Sequence, residues 1–354
     1  MKRSKPSIVP GVMHIHTTFS DGSGTIPEVV MAARQNGLRW IIVTDHDSLE
    51  GSALAGWHDD ILLMVGHEIT PMGNHFLALN VDRVIPAYKP PQDFIDEVYE
   101  HGGFGIIAHP DDDKEEPGSP HRWHNWEIDG PRQRTADTRV GLELWNFMSD
   151  WRQSHKGPLK RYAGYMFPGM LLRGPTADTL AWWDRLNQAG KSTFGIAGLD
   201  AHAFSRMMPW GPIKVFPYHW MFGTLTNYLL LDEPLTADAN VATRQAMHAL
   251  MHGRSYMVNR LYGDAPDVVF EVTDGDRQWL MGDSVPLNTR SMTEPMMIHA
   301  DVGRNAAVRI IHNGNVLTRG VGQARHLVNE PGVYRLEASQ GQHPWLYSNP
   351  IYVL

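Results

Sequence analysis

Along the first two thirds of the chain, short apolar runs alternate with amphipathic stretches. The runs Val12–His16, Trp40–Asp45, Leu62–Glu68, His75–Asn80, Phe104–His109, Val140–Asn146, Phe194–Asp200 and Ile213–Phe216 predict strands. Apolar positions at helical spacing in Ile26–Asn36, Gln92–His101, Ala177–Ala189 and Asp238–His252 predict helices, the last stopping at Gly253. Near-continuous apolar strands separated by helices point to a buried, largely parallel sheet. Pro71-Met72-Gly73-Asn74 predicts a hairpin turn inside that pattern.

After about residue 264 the period changes to strict alternation, in Val268–Val272, Met296–Ala300, Val308–Ile311 and Val333–Ala338. Asn313-Gly314 is a strong hairpin signal and no helical pattern remains. The chain therefore divides into an α/β unit over residues 1–262 and a small all-β, sandwich-like unit over 263–354. Residues 111–175 stand apart as an insertion rich in Pro, Gly, Trp and Arg with little clean periodicity.

Composition narrows the chemistry. With 354 residues and 42% hydrophobic content the chain can bury a full core. A net charge of −8 argues against a general binder of long nucleic acids. No apolar run approaches the ~20 residues a membrane span needs, nor does the basic N-terminus continue into a signal peptide, so the expected location is the cytoplasm. Cysteine is absent and histidine numbers 19. Any metal chemistry must use His, Asp and Glu.

Those residue types fall at the C-terminal ends of the predicted strands. His14 and His16 end the first, Asp45-His46-Asp47 the second, Glu68 the third, His109 a later one, and Asp200 with His202 another. Strand-end loops build the active sites of α/β barrels. His14 and His16, two residues apart on a strand, project to one face, as a shared metal requires. A single such pair is weak; five strand ends carrying ligand-type residues are not.

At these positions His14-Ile15-His16-Thr17-Thr18-Phe19-Ser20-Asp21-Gly22 resembles the first motif of the polymerase and histidinol phosphatase (PHP) family. Thr44-Asp45-His46, Ile107-Ala108-His109-Pro110 and Gly198-Leu199-Asp200-Ala201-His202 resemble the next three, and Glu68 and His75 match the remaining ligand positions. The C-terminal unit and its ending Trp345-Leu346-Tyr347-Ser348-Asn349-Pro350-Ile351-Tyr352 look most like the carbaryl hydrolase (CehA/McbA) branch. The resemblance implies a distorted (β/α)7 barrel holding two or three divalent ions, Zn²⁺, Mn²⁺ or Fe²⁺. His14, His16, Glu68 and Asp200 would bind the first, Glu68 bridging to a second held by His75 and His109. Asp21, His46 and His202 would bind a third. Such a cluster is net positive, suits a phosphate dianion, and supplies a bridging hydroxide as nucleophile at neutral pH. The implied activity is a phosphoesterase acting on a small anionic metabolite or nucleotide. A carboxylic ester or carbamate hydrolase is the alternative, and a non-catalytic metal-binding module a second. A homo-oligomer is compatible with either activity.

Two readings of the insertion stand side by side. Lys114–Arg173 holds ten Lys/Arg against seven Asp/Glu, with Trp123, Trp126, Trp145 and Trp151. It is either a solvated loop pinned by aromatics or a wall that holds substrate. His124, with His121, would donate a proton to the leaving group; Arg206 and Arg122 would hold an anionic oxygen. His67 should point away from the site and pack.

Overall fold

The computed structural model describes residues 5–112, 123, 138–155, 157–167, 169, 172–208, 211–275, 277–287 and 295–354. The molecule is mixed α/β with one large continuous sheet. Strand Ser7–Met13 runs parallel to Trp40–His46, which runs parallel to Ile61–Ile69. Phe76–Leu79 is antiparallel to both its neighbours, Ile61–Ile69 and Phe104–Ile107, and parallel pairing resumes through Gly141–Asn146 to Phe194–Gly198. The turn at 71–74 reverses the chain before Phe76, with Asn74 at φ 62°. Asn tolerates that conformation better than other side chains.

These strands close on themselves. Beyond Phe194–Gly198 the chain returns to the first strand by a parallel bridge between Ile15 and Ala201. Its hydrogen bonds are His16 N–H to Ala201 O (2.9 Å) and Ala201 N–H to His14 O (3.2 Å). Earlier along the same edge, asparagine side chains replace a neighbouring strand. Asn227 Oδ1 accepts from Ala197 N–H and its Nδ2 donates to Ala197 O, at 2.8 and 2.7 Å. Asn349 does the same at Gly195, at 2.6 and 2.9 Å. A buried strand edge left unpaired would be costly, and each amide satisfies one residue of it.

Helices cover the outside where the chain encodes them. Ile26–Gln35 starts at Thr25, whose backbone N–H is capped by the Glu28 carboxylate at 2.7 Å. It buries Ile26, Val29, Val30 and Ala33 against the sheet. Gly11 lets the Trp40 indole lie flat across the first strand, since a Cβ there would come within 2.1 Å of the ring.

Within the insertion expected over 111–175, the described residues hold the strand the apolar pattern predicts and two helices it does not. Gly141–Asn146 is a buried strand of the ring, and helices Phe147–Ser154 and Pro158–Met166 follow it. Asn146 caps the first of these, accepting from Ser149 N–H at 2.8 Å. Its short helices, broken at Gly157, carry too few turns for a periodic signal. Residues 113–122 and 124–137, with His121, Arg122, His124 and Trp126, lie outside the described residues.

Strands Leu225–Leu231 and Ser255–Asn259 extend the sheet outward from Ser7–Met13. Ser255–Asn259 then pairs with His343–Ser348, so hydrogen bonding crosses residue 263 without a break. From 264 onward the described residues form ten strands and no helix. Asn313 (φ 50°) and Gly314 (φ 80°) make the hairpin turn between Ala307–His312 and Asn315–Val321. No helix among the described residues is long and apolar enough to cross a membrane.

Candidate metal centre

The strand ends converge on one side of the ring. Three residues that deliver side chains there, His14, His109 and Asp200, have positive φ (62°, 26° and 53°). Such backbone is unfavourable outside glycine and persists where surrounding structure enforces it, often at functional sites.

Glu68 is the hub. Its Oε1 lies 3.0 Å from His75 Nδ1 and 3.1 Å from His109 Nε2. Its Oε2 lies 3.4 Å from His14 Nε2, 3.3 Å from His16 Nε2 and 3.0 Å from His46 Nδ1. Asp200 Oδ1 stands 3.7 Å from His14 Nε2 and 3.5 Å from His16 Nε2. On the outer side, Asp21 Oδ1 is 3.1 Å from His202 Nε2 and 3.5 Å from His46 Nε2. Donors bound at ~2.1 Å to one tetrahedral ion sit roughly 3.4 Å apart, so this spacing is that of a coordination shell. Three groups of donors, each mutually within 4.8 Å, emerge: His14, His16 and Glu68; Glu68, His75 and His109; His16, Asp21, His46 and His202.

The structure thus brings all nine candidate ligands together. His16 stands between groups, because its two ring nitrogens point opposite ways: Nε2 toward Glu68 and Nδ1 to 3.9 Å from Asp21. His46 likewise faces Asp21 with one nitrogen and Glu68 with the other. The outer group is therefore less independent of the inner ones than the strand-end pattern implies.

Whether these residues fit a metal is tested by their unmet valences. His14 Nε2, both nitrogens of His16 and Glu68 Oε2 are buried and have no hydrogen-bond partner. Orphaned buried polar atoms are rare and need an explanation. Here all four face one another, and imidazole with carboxylate is the donor set of hard and borderline divalent ions. Burial alone would raise the Glu68 and Asp200 carboxyls, yet surrounding histidines hold both well below the usual range. Burial drives His16 down to about 4, a neutral imidazole with one ring nitrogen free to donate its lone pair. His202 is lowered by burial, but Asp21 and Asp200 outweigh that and lift it to about 9.

A supporting layer fixes the donors, and of it the sequence pattern singled out Asp45 but not Glu143 or Tyr218. Glu143, buried on strand Gly141–Asn146, accepts from His14 Nδ1 at 2.9 Å and from the His109 backbone N–H at 2.5 Å. A lone acid inside an apolar strand was the available signal. Asp45 accepts from Thr17 N–H (2.6 Å), Thr17 Oγ1 (2.7 Å) and Ser20 Oγ (2.5 Å), folding the loop that carries Asp21. The Tyr218 hydroxyl joins the two ligand loops, donating to His16 O at 2.7 Å.

A cavity of about 540 Å³ opens over the cluster. Arg206 lines it, exposed, with its guanidinium 5.3 Å from the centre of the Tyr165 ring. Arg152, which the sequence pattern missed, also lines it, with Nη2 3.2 Å from Asp112 and 3.6 Å from Asp200. Trp123 and Trp145 are buried in packing roles. Trp123 donates to His75 O, and Trp145 to Asp150. Trp151 is buried too, but one edge reaches the cavity. His67 packs behind the site, its Nε2 accepting from Ile85 N–H at 3.1 Å, and burial holds it down to about 4.

Residues 13–96 match the PHP domain family, a span that includes His14, His16, Asp21, His46, Glu68 and His75. Over 112 residues the chain is 23% identical to an uncharacterized protein of Methanocaldococcus jannaschii. That alignment covers 28% of this chain and 66% of the relative, just under two thirds of its length. Among solved structures, a Bacteroides vulgatus two-domain protein containing a predicted PHP-like metal-dependent phosphoesterase is 13% identical. It aligns over 99% of this chain and 97% of its own, with a TM-score of 0.43. A Bifidobacterium adolescentis structure named for a metal-dependent phosphoesterase is 16% identical, over 54% of this chain and 87% of its own, with a TM-score of 0.34. Likeness at these TM-scores does not define the fold, which stands on the strand pairing above.

Proposed function

We propose that this chain is a metal-dependent phosphoesterase of the PHP type, acting on a small anionic ester. The observation that carries the proposal is the convergence of three donor groups through Glu68 and His16, with four buried donor atoms that have no other partner. In this reading residues 1–262 form a distorted (β/α)7 barrel and residues 263–354 a β-sandwich-like domain of the kind the carbaryl hydrolase branch carries. His14, His16, Glu68, Asp200, His75, His109, Asp21, His46 and His202 would hold two or three divalent ions, Zn²⁺, Mn²⁺ or Fe²⁺. Such ions, when bound, supply Lewis acidity toward the ester oxygens and acidify an attacking water.

The chain's own residues account for the rest. Glu68 and Asp200, held ionised, balance part of the bound charge and leave the cluster net positive. Glu143 fixes the His14 ring so that Nε2 faces the cluster. Arg152 adds a positive charge next to Asp200, where an ester's anionic oxygens would lie. Arg206 adds a second at the cavity mouth. His124 is assigned as proton donor to the leaving group on its place in the loop after His109.

The test is a substrate panel on the metal-loaded protein: p-nitrophenyl phosphate, bis-p-nitrophenyl phosphate and naphthyl acetate, with metal content measured in parallel. Phosphoester turnover that is lost on chelation and restored by a divalent ion supports the proposal. Turnover of naphthyl acetate alone replaces it with a carboxylic ester hydrolase.

A further inference from the structure

The cavity has two unlike walls. One is the donor cluster; the other comes from the helices between His109 and Asp200 and from the loop after His202. Helix Phe147–Ser154 presents Met148, Trp151 and Arg152 to the cavity. Positions i, i+3 and i+4 share one helix face, so a single helix contributes both apolar surface and a cation. Tyr165 from helix Pro158–Met166 and Phe204, just after His202, complete the wall.

This wall is preorganised from behind. The Trp151 and Tyr165 rings lie 5.2 Å apart at 30°. The buried Phe216 meets Trp151 edge-on at 4.9 Å and Phe204 edge-on at 6.1 Å. Such contacts lock the rings in place, so little ordering cost remains for a ligand that lies against them. The Trp151 indole N–H is already committed to Gly164 O at 3.2 Å. Met148 and Phe204 offer no donor. Beyond the Tyr165 hydroxyl these side chains give a polyol nothing in exchange for its hydrogen bonds to water, whereas a flat apolar ring has none to lose.

Arg152 sits at the seam between the walls. Its Nη2 contacts Asp112 and Asp200, and its buried Nε has no hydrogen-bond partner. A cation at that seam favours an ester whose charge lies on the cluster side and whose uncharged part lies on the aromatic side.

We infer that the face formed by Met148, Trp151, Tyr165 and Phe204 is the leaving-group subsite, and that it selects phosphoesters whose alcohol carries an aromatic ring. The inference rests on the phosphoesterase reading for its chemistry and on the wall for its specificity. Arg206, stacked on Tyr165 at the mouth, flanks the ring of the bound ester.

The experiment compares benzyl phosphate with propyl phosphate on the metal-loaded protein. The two alcohols leave with similar difficulty, so the ratio of kcat/KM reports the subsite. Benzyl phosphate should be preferred by roughly ten-fold, the size expected for one well-packed ring. Phe204→Ala and Tyr165→Ala should each bring the ratio most of the way to one. Phe204→Leu, which keeps apolar volume against Phe216, should do so in part, and circular dichroism confirms that each variant folds. Arg152→Gln should raise KM for both esters alike. A wild-type ratio near one, or a ratio unmoved in the Phe204 and Tyr165 variants, overturns the subsite while leaving the phosphoesterase reading intact. Calorimetric binding of benzylphosphonate and propylphosphonate separates the other case. If no phosphoester is turned over but benzylphosphonate binds tighter and Phe204→Ala abolishes the difference, the activity is wrong and the subsite right. Equal binding of the two phosphonates, or none, overturns the subsite.

Discussion

Glu143→Gln isolates the role of a residue that touches no proposed substrate. The carboxylate has two acceptor oxygens serving two donors, His14 Nδ1–H and the His109 backbone N–H. That His14 carries its proton on Nδ1 is assigned from the network, because Nε2 faces Glu68 and Asp200. A glutamine of the same shape has one acceptor oxygen, so one of the two donors must face an NH₂ group. The variant loses a charge-assisted bond in a fully buried setting, about 1.5–3 kcal/mol. At ~1.4 kcal/mol per decade that is about 10–100-fold, the range typical for partners that orient metal-bound histidines. Competition with a chromophoric chelator for Zn²⁺ or Mn²⁺ should show this loss in affinity, independent of any activity. Gly198→Ala provides a second route to the same end. A Cβ at 198 would lie 1.5 Å from Glu143 Oε1, so the carboxylate must move away from His14. Both variants should weaken metal binding while near-ultraviolet circular dichroism stays close to wild type. Affinity within two-fold of wild type in a folded Glu143→Gln protein would refute the orienting role.

Glu68→Gln should lower the amount of metal retained after dialysis by more than one equivalent, since Glu68 shares two donor groups with four imidazoles, His14, His16, His75 and His109; mass spectrometry showing full retention would rule out bridging. Asp21→Asn should remove one equivalent and leave the others, because Asp21 belongs to the outer donor group alone; loss of all metal, or none, would contradict that grouping. Arg335→Met leaves the Asp184 carboxylate buried without its cation, while Glu337 keeps Arg309, a cost of about 3–5 kcal/mol. Calorimetry should show a fall in Tm of about 4–7 °C for a chain of 354 residues, and a shift under 2 °C would mean that water replaces the arginine.

Most of the donor set could be read from the chain because each ligand ends an apolar run. Hydrophobic pattern marks the strand, and the first polar residue after it marks the end of the sheet. His75 was the hardest to place, since it follows a turn, yet its Nδ1 reaches Glu68. What escaped was fixed by tertiary structure. Strand Ser7–Met13 contains Pro10 and Gly11, both poor strand residues, ahead of the apolar run that starts at Val12, and pairing with Leu225–Leu231 overrides them. Glu143 reads as a flaw in an apolar strand until His14 is seen beside it, 129 residues away in sequence. Arg152 lay in a stretch whose charge and tryptophans suggested an irregular loop, whereas helix Phe147–Ser154 sets it against Asp200. Of the tryptophans among the described residues, Trp145 and Trp123 serve the core and Trp151 lines the cavity.

The placement of Asp200 ties the C-terminal strands to the chemistry. Strand Phe194–Gly198 leads directly to Asp200 and has a full strand partner on one side only, Gly141–Asn146. Its other edge is held by side-chain amides, and one of them, Asn349, comes from the last residues of the chain. Asn349 also donates to Ser255, so one residue links the Asp200 strand to the strand that carries the sheet outward. Arg335 reaches back in the same way to Asp184 on helix Ala177–Gln188, which precedes that strand. Tyr347 meets Trp145 edge-on at 5.9 Å on the neighbouring strand, two residues from Glu143. These contacts are buried and polar or aromatic, so they fix position more sharply than apolar packing alone. The C-terminal strands therefore act as a brace behind the strands bearing Glu143 and Asp200. None of these residues is among the described lining of the cavity, which beyond the donor cluster and Asp112 comes from the helices after Asn146 and the loop after Asp200.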